Sequence, residues 1–310
     1  MGSTARFYVC GGSPDVEARL RSRLDDLERR WSRFLPSSEV SRANANAGRP
    51  TAVSPETRLL AAQAVRAGEL TYGWFDPLLL EPLAAAGYGQ SYELLDITDL
   101  GPLVASVDRC GPTVSVLVRA RDEAAAALAV DEAAGTVTVG AGAGFDPGGI
   151  GKGLAADLLA TEAVAGGASA VLVDLGGDIA CAGRAPAVGW VVDIHDPFDP
   201  AQTCAQVRIP WGAVATSSSA GRRWRHQGEV AHQLIDPQTR RPSDSSIVQA
   251  TVIAGACWLA EVSAKAALLA GPIAGPALLA DIGVEGLLVC ADGSRIETRG
   301  WSAFTAASMS

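Results

Sequence analysis

Residues 145–157, FDPGGIGKGLAAD, form a glycine-rich bend that carries one lysine and leads into an alanine- and leucine-rich stretch. Glycines let a backbone approach a ligand closely, and the N-terminus of a following helix adds positive partial charge. The stretch does not match a Walker loop, because Asp146 and Gly153 stand where Gly and Ser or Thr are required, and its glycine spacing is not G-x-G-x-x-G. By itself the bend indicates either a phosphate cradle or a plain strand-to-helix turn.

The segments around this bend predict a mixed α+β fold. Ser13-Pro14 predicts the start of an amphipathic helix that runs to Phe34. Ser54-Pro55 predicts the start of a second helix, which ends near Gly73. Strand-like stretches lie at 5–10, 112–118, 135–140, 168–175, 189–195, 204–210 and 248–255, and a hairpin at 287–298. Because strands and helices do not alternate regularly, we expect antiparallel pairing in one compact, two-lobed domain covering residues 1–310.

The net charge and the hydrophobic pattern argue against certain partners and locations for this chain. The 310-residue chain has a formal net charge of -9, which argues against a nucleic-acid partner, since phosphate contacts need clustered Lys and Arg. The first residues, MGSTARFYVCGG, lack the pattern of a signal peptide, and no uncharged apolar run approaches the roughly 20 residues of a membrane span. We therefore expect no membrane span in this chain and a cytoplasmic location.

Three further stretches carry side chains suited to chemistry. DLGGDIA (174–180) follows an apolar strand, and its glycine pair indicates either a ligand site or a bulge. In HQLIDPQTRRP (232–242), His232 lies beside an Asp-Pro turn and is an acid/base candidate, although a lone histidine is more often structural. ATSSSAGRRW (215–224) holds three serines but lacks the G-x-S-x-G elbow, so it does not indicate a serine hydrolase.

Taken in order, these stretches resemble the FAD:protein FMN transferase family, the ApbE-type flavin transferases. MGST is similar to that family's Met-Gly-Thr opening, FLPSSEVSRAN (34–44) to its P-x-S-E-x-S-x-x-N segment, and GWFDP (73–77) to its Gly-x-Phe-Asp-Pro segment. FDPGGIGKGLAAD, DLGGDIA and HQLIDPQT follow in the family's order. The resemblance extends from Met1 to about Gly271.

The resemblance implies a T-fold-like α+β structure that binds FAD, cleaves its diphosphate and transfers FMN to a Thr or Ser hydroxyl of a partner protein, releasing AMP. It implies His232 as the proton acceptor. By position, it implies that the flavin site is lined by Met1, Phe34, Asn44, Trp74, Phe75 and Asp76, and that the cofactor is contacted by Asp146, Lys152 and Leu234. Two alternatives remain open: hydrolysis of FAD to FMN and AMP without an acceptor, and flavin binding by a non-catalytic carrier.

The chain departs from the family at the metal site. The resemblance implies a Mg²⁺ ion on the carbonyl of Gly149 and on an Asp and a Thr four residues apart, but Glu261 and Lys265 stand at those two positions. An ammonium group does not ligate Mg²⁺. One interpretation is a surface ion pair at i and i+4 of a helix. The other is that Lys265 neutralises the diphosphate while Glu261 orients it.

Two smaller departures lie near the same motifs. Ser218 stands where the family has Gly after Ser, and Arg240 where it has Gly after Thr. The arginines in these segments either bring positive charge toward a diphosphate or are solvated surface residues; they are Arg222, Arg223, Arg240 and Arg241.

Overall fold

The computed structural model of the chain describes residues 3–98, 100 and 127–305. Its strands, in chain order, are β1 (Ala5–Cys10), β2 (Thr51–Ala52), β3 (Leu128–Asp131), β4 (Thr136–Val139), β5 (Ala170–Leu175), β6 (Asp178–Gly183), β7 (Trp190–His195), β8 (Thr203–Ile209), β9 (Gly212–Ser218), β10 (Arg223–His226), β11 (Glu229–His232), β12 (Ile235–Asp236), β13 (Arg241–Pro242), β14 (Ile247–Ala254), β15 (Glu285–Cys290) and β16 (Arg295–Glu297). Its helices are α1 (Val16–Trp31), α2 (Glu39–Ala45), α3 (Pro55–Leu70), α4 (Leu80–Ala85), α5 (Gly151–Ala165) and α6 (Cys257–Ile282). The strand predicted at 112–118 lies outside the described residues, as does Met1.

A seven-stranded sheet organises the described part of the chain. Its strand order is β1-β5-β6-β9-β14-β15-β16, and neighbouring strands pair antiparallel. Strand β14, IVQATVIA, is buried at every position, because it is central and covered on both faces. The α+β class and the antiparallel pairing are thus confirmed. So is the hairpin at 287–298, in which β15 pairs with β16 across Asp292-Gly293.

The two faces of the large sheet are covered by different elements. Helices α5 and α6 pack on one face, against strands that include β5, β6, β9 and β14. The β7–β8 hairpin packs on the other face, where Trp301 is fully buried with Val207 and Ile209. A small three-stranded sheet, in the order β2-β4-β3, lies beside α3. The described residues therefore form a layered structure whose helical side carries Lys152 on α5 and Lys265 on α6.

Helix α6 is the apolar helix of the core. It bends at Gly271, where φ is 83° and ψ is −175°, just before Pro272. By length and composition alone it is the one helix among the described residues that could cross a membrane, with a mean hydropathy of 1.4 over its most apolar 18 residues. However, 61% of that window is buried inside the protein. Its apolar composition is accounted for by core packing.

Helices α5 and α6 approach each other closely at their N-termini. A Cβ atom at Gly153 would lie 2.6 Å from the carbonyl oxygen of Cys257, so only glycine fits there without a shift. The carboxylate of Asp157 accepts hydrogen bonds from the backbone N–H groups of Cys257 (2.8 Å) and Trp258 (3.0 Å), which caps the start of α6. This crossing fixes the distance between the first turns of the two helices.

The two predicted helix starts have different outcomes. Ser54 caps α3 as expected, since its hydroxyl accepts a hydrogen bond from the N–H of Thr57, and Pro55 is the first helical residue. The prediction at Ser13 is wrong, because α1 begins at Val16 with Asp15 as its N-cap. This helix also ends at Trp31, so Phe34 lies beyond it rather than inside it.

Candidate active site

A cleft of about 510 Å³ opens beside the N-termini of α5 and α6. That volume falls in the range of sites for cofactor-sized ligands. Seven of the residues expected from the sequence line it: Phe34, Asp146, Gly149, Lys152, Leu234, Glu261 and Lys265. The cleft also includes Gly148 and Gly151 of the glycine-rich bend. The bend of the opening motif is therefore a wall of a pocket and not only a turn.

Lys152, in the first turn of α5, belongs to a buried ionic network. Its ammonium group forms an ion pair with Asp178, at the start of β6, and lies 3.3 Å from Oε1 of Glu261. The other oxygen of Glu261 accepts the backbone N–H of Gly153 at 2.8 Å. Asp178 and Glu261 are 2% and 4% exposed. Both oxygens of Glu261 are thus engaged within the protein, and the charge of Lys152 is already balanced.

Lys265 lies one turn after Glu261 in α6 and packs against the bend. A Cβ atom placed on Gly149 would be 3.1 Å from Lys265 Nζ and 3.1 Å from the ring of Phe75, so the ammonium group lies in the space beside Gly149. Burial lowers the pKa of Lys265, while the charges of Asp146, Glu261 and Asp76 raise it. Among the described residues, no carboxylate forms a direct ion pair with Lys265. The interpretation of Glu261 and Lys265 as a surface pair is wrong, since Glu261 is buried and bonded elsewhere.

The residues at this position do not fit a Mg²⁺ ion. Magnesium needs oxygen ligands in a tight octahedral arrangement. Glu261 is occupied by Lys152 and Gly153, and the ammonium group of Lys265 fills the space next to Gly149. Within the described ranges, no group of three or more His, Cys, Asp or Glu side chains is placed to hold a metal.

One wall of the cleft combines arginine with aromatic rings. The guanidinium of Arg33 stacks on Phe34 and Tyr88, 4.2 Å and 4.6 Å from the two ring centroids. Its Nε lies 3.3 Å from Oδ1 of Asp146, and its NH2 group donates to the carbonyl of Tyr88. Arg222 donates to the hydroxyl of Tyr88 at 3.1 Å. The sequence interpretation missed Arg33 and Tyr88, of which only Arg33 had a signal, as the residue directly before Phe34.

Four of the expected site residues support the cleft from behind rather than line it. Asn44 bonds through its side chain to the backbone of Phe145, directly before Asp146. Phe75 is 1% exposed and lies under Gly149 and Lys265. Asp76 accepts a hydrogen bond from the N–H of Leu78, and Trp74 packs partly buried against the core.

His232, the expected proton acceptor, ends strand β11 next to the cleft. Its Nε2 lies 2.9 Å from the carbonyl oxygen of Ser243, and its Nδ1 accepts the N–H of Leu234 at 3.3 Å. These partners assign the proton to Nε2 and leave the lone pair on Nδ1. Burial lowers the pKa of His232, which keeps the imidazole neutral near pH 7. The ring does not line the cleft, but the next two residues, Gln233 and Leu234, do.

Comparisons with known proteins agree on one family. The model of the ApbE family matches residues 1–288. The FAD:protein FMN transferase of Rhodobacter capsulatus is 27% identical over 94% of this chain and 56% of its own length, and that of Vibrio cholerae is 25% identical over 86% and 76%. Among solved structures, the ApbE protein of Thermotoga maritima has a TM-score of 0.81 at 23% identity, covering 98% of this chain and 96% of that one. The flavin transferase ApbE from Vibrio cholerae has a TM-score of 0.76 at 22% identity, with the same coverage. The chain belongs to the ApbE family.

Proposed function

We propose that this chain is an FAD:protein FMN transferase, which moves FMN from FAD to a Thr or Ser hydroxyl of a partner protein and releases AMP. The observation that carries the proposal is the meeting, in one cleft, of an aromatic wall, a glycine-rich bend at a helix N-terminus and the ammonium group of Lys265. The names of its relatives support the reaction. The chain spans 56% of the length of the first of them.

The cleft combines an aromatic wall with charged groups. The partly exposed ring of Phe34 offers aromatic surface for a ring system of FAD, and the buried Tyr88 packs beside it. Lys265 and the bend around Gly149 offer positive charge and close backbone approach for the diphosphate. Lys152 holds Glu261 and Asp178 in place, so its role is to build the charged end. This arrangement suits a ligand that is aromatic at one end and anionic in the middle.

The transfer is a displacement at phosphorus. The hydroxyl oxygen of the acceptor forms a bond to the phosphorus of the FMN half, and the bond from that phosphorus to the bridging oxygen breaks. The bridging oxygen leaves with its electron pair as part of AMP, and the hydroxyl proton goes to a base. We assign the base to His232, whose lowered pKa keeps the imidazole neutral near pH 7. Its unprotonated Nδ1 accepts the N–H of Leu234 at 3.3 Å, so the Gln233–Leu234 segment must release this hydrogen bond before Nδ1 takes the hydroxyl proton.

The proposal is tested by mixing the purified chain with FAD, with and without a protein or peptide that carries an acceptor Thr. AMP and a flavinylated acceptor, formed only when the acceptor is present, are the expected products. AMP formed at the same rate without an acceptor would instead identify an FAD hydrolase. FAD binding with no AMP under either condition would identify a carrier. Absence of FAD binding would contradict the flavin site itself.

A further inference from the structure

We propose that the ammonium group of Lys265 is the built-in cation of this transfer, so that the chain moves FMN without a divalent metal. This inference rests on the proposed function and adds a catalytic residue to it. Phosphoryl transfer needs positive charge at the diphosphate oxygens, which metal ions often supply. Here the position beside Gly149 is filled by a side chain that carries its own charge.

The two lysines of the cleft differ in how their charge is used. Lys152 contacts two carboxylates, those of Asp178 and Glu261, which neutralise its charge within the protein. Lys265 has no direct ion pair within the described residues, although it lines the cleft and is desolvated. A desolvated cation that faces a cleft without a direct counter-ion is suited to an anionic ligand. The structure thus leaves Lys265 available for the diphosphate.

Packing against neighbouring residues fixes the position of the Lys265 side chain. Its Cδ would lie 3.0 Å from a Cβ atom on Gly149, and its Nζ lies 5.5 Å from the centroid of the Phe75 ring. Helix α6, which carries it, is anchored to α5 by the Asp157 cap and the contact at Gly153. A cation held in this way is preorganised for charge that develops on the leaving AMP.

Three carboxylates act on the ammonium group of Lys265. Asp146, Glu261 and Asp76 all act on Lys265 electrostatically, and each would repel a diphosphate. Asp146 is also paired with Arg33, and Glu261 with Lys152. Lys152 is shared between Glu261 and Asp178, so Lys265 is the ammonium beside Gly149 that is left to offset the charge of a diphosphate. We therefore expect Lys265 to act on the transfer rate more than on FAD affinity, because the leaving AMP gains charge in the transition state.

The test measures AMP release from FAD in the presence of an acceptor peptide. The wild type and Lys265→Met are each assayed in two buffers, one with a metal chelator and one with millimolar Mg²⁺. We expect the wild-type rate to be the same in both buffers. We expect Lys265→Met to lose about 100-fold in kcat, with a smaller change in the FAD dissociation constant measured by flavin fluorescence. Methionine keeps the aliphatic length against Phe75, and near-UV circular dichroism checks that the variant folds.

Each outcome bears on one of the two proposals. A wild type that loses transfer in chelator and regains it with Mg²⁺ overturns the built-in cation, and this result does not depend on any variant. A Lys265→Met chain that keeps the wild-type rate in chelator overturns it as well. If the wild type releases no AMP with acceptor in either buffer, the proposed transferase function fails instead.

Discussion

Asn44 and Phe145 exchange two hydrogen bonds although 101 positions separate them in the sequence. The side-chain amide of Asn44 donates to the carbonyl oxygen of Phe145 at 2.9 Å, and the N–H of Phe145 donates to Oδ1 of Asn44 at 2.8 Å. Helix α2 is thereby fastened to the residue that precedes Asp146. The shape of the glycine-rich bend depends on a side chain from a distant motif.

The first prediction concerns this fastening. Asn44→Ala leaves the N–H and the carbonyl of Phe145 without their partner, which costs about 2–4 kcal/mol of unfolding free energy. We also expect weaker FAD binding, because the bend loses its support. Urea unfolding and flavin fluorescence measure the two effects. Asn46→Ala is the control, since its amide bonds to Pro50 and Thr51 away from the cleft. Equal loss of FAD affinity in both variants would contradict the assignment.

The second prediction concerns the crossing of α5 and α6. In Gly153→Ala the new methyl group would meet the backbone of Cys257 at 2.6 Å, so the helices must move apart, at a cost of roughly 1–3 kcal/mol. Gly151→Ala, two residues earlier in the same helix, meets only Pro147 Cβ at 3.6 Å. Since alanine favours helix by about 1 kcal/mol over glycine, we expect this control to keep or gain stability. Thermal unfolding of the two variants shows whether the stability change comes from the contact with Cys257 or from helix propensity.

Local sequence signals correctly predicted those helix starts and turns that depend only on residues close in the sequence. The Ser54-Pro55 start of α3 and the Asp292-Gly293 hairpin follow from side chains within a few positions, and both are present. Ser13-Pro14 carries the same signal as Ser54-Pro55, but there the turn places Asp15 at the cap, with the N–H of Val16 bonded to the carbonyl of Ser13. A dipeptide alone does not settle which of two nearby polar residues becomes the N-cap.

The sequence did not predict which side chains from distant segments contact each other. The motifs indicated that Glu261 and Lys265 belong to the site, yet they gave no sign that Lys152 takes Glu261 as its partner or that Asp178 completes the network. The aromatic wall around Tyr88 was missed because no motif contains that residue. Such contacts depend on how separate segments meet in space, which periodicity and spacing do not encode.

The third prediction concerns His232. Because burial lowers its pKa, protonation should inactivate the base only below the usual imidazole value of 6.5. We expect kcat/KM for transfer to fall on the acid side of that value, and His232→Gln to lose most of the rate together with this acid limb. Initial rates between pH 5 and 8 are compared for both chains. A variant that is slow but keeps the wild-type pH profile would show that His232 only braces the Gln233–Leu234 segment.

The fourth prediction follows from the cap of α6. Burial is the largest influence on Asp157 and raises its pKa from 3.8 to about 6, against the two backbone donors, which lower it. Between pH 3.8 and about 6, Asp157 is therefore protonated in the folded chain and ionised in the unfolded chain. By linkage, the stability contributed by Asp157 is fully present below pH 3.8 and is lost as pH rises toward about 6, by on the order of 3 kcal/mol.

Asp157→Asn isolates this dependence. The amide keeps an acceptor for one of the two N–H groups at Cys257 and Trp258, but it does not titrate. The unfolding free energy of the wild type minus that of the variant cancels the contributions of other groups, His232 included, and we expect this difference to decrease as pH rises from about 4 to 6. Urea unfolding at several pH values measures it. A difference that stays flat or increases would place the pKa of Asp157 at or below its ordinary value, and the cap would then be a charged carboxylate at the helix N-terminus throughout.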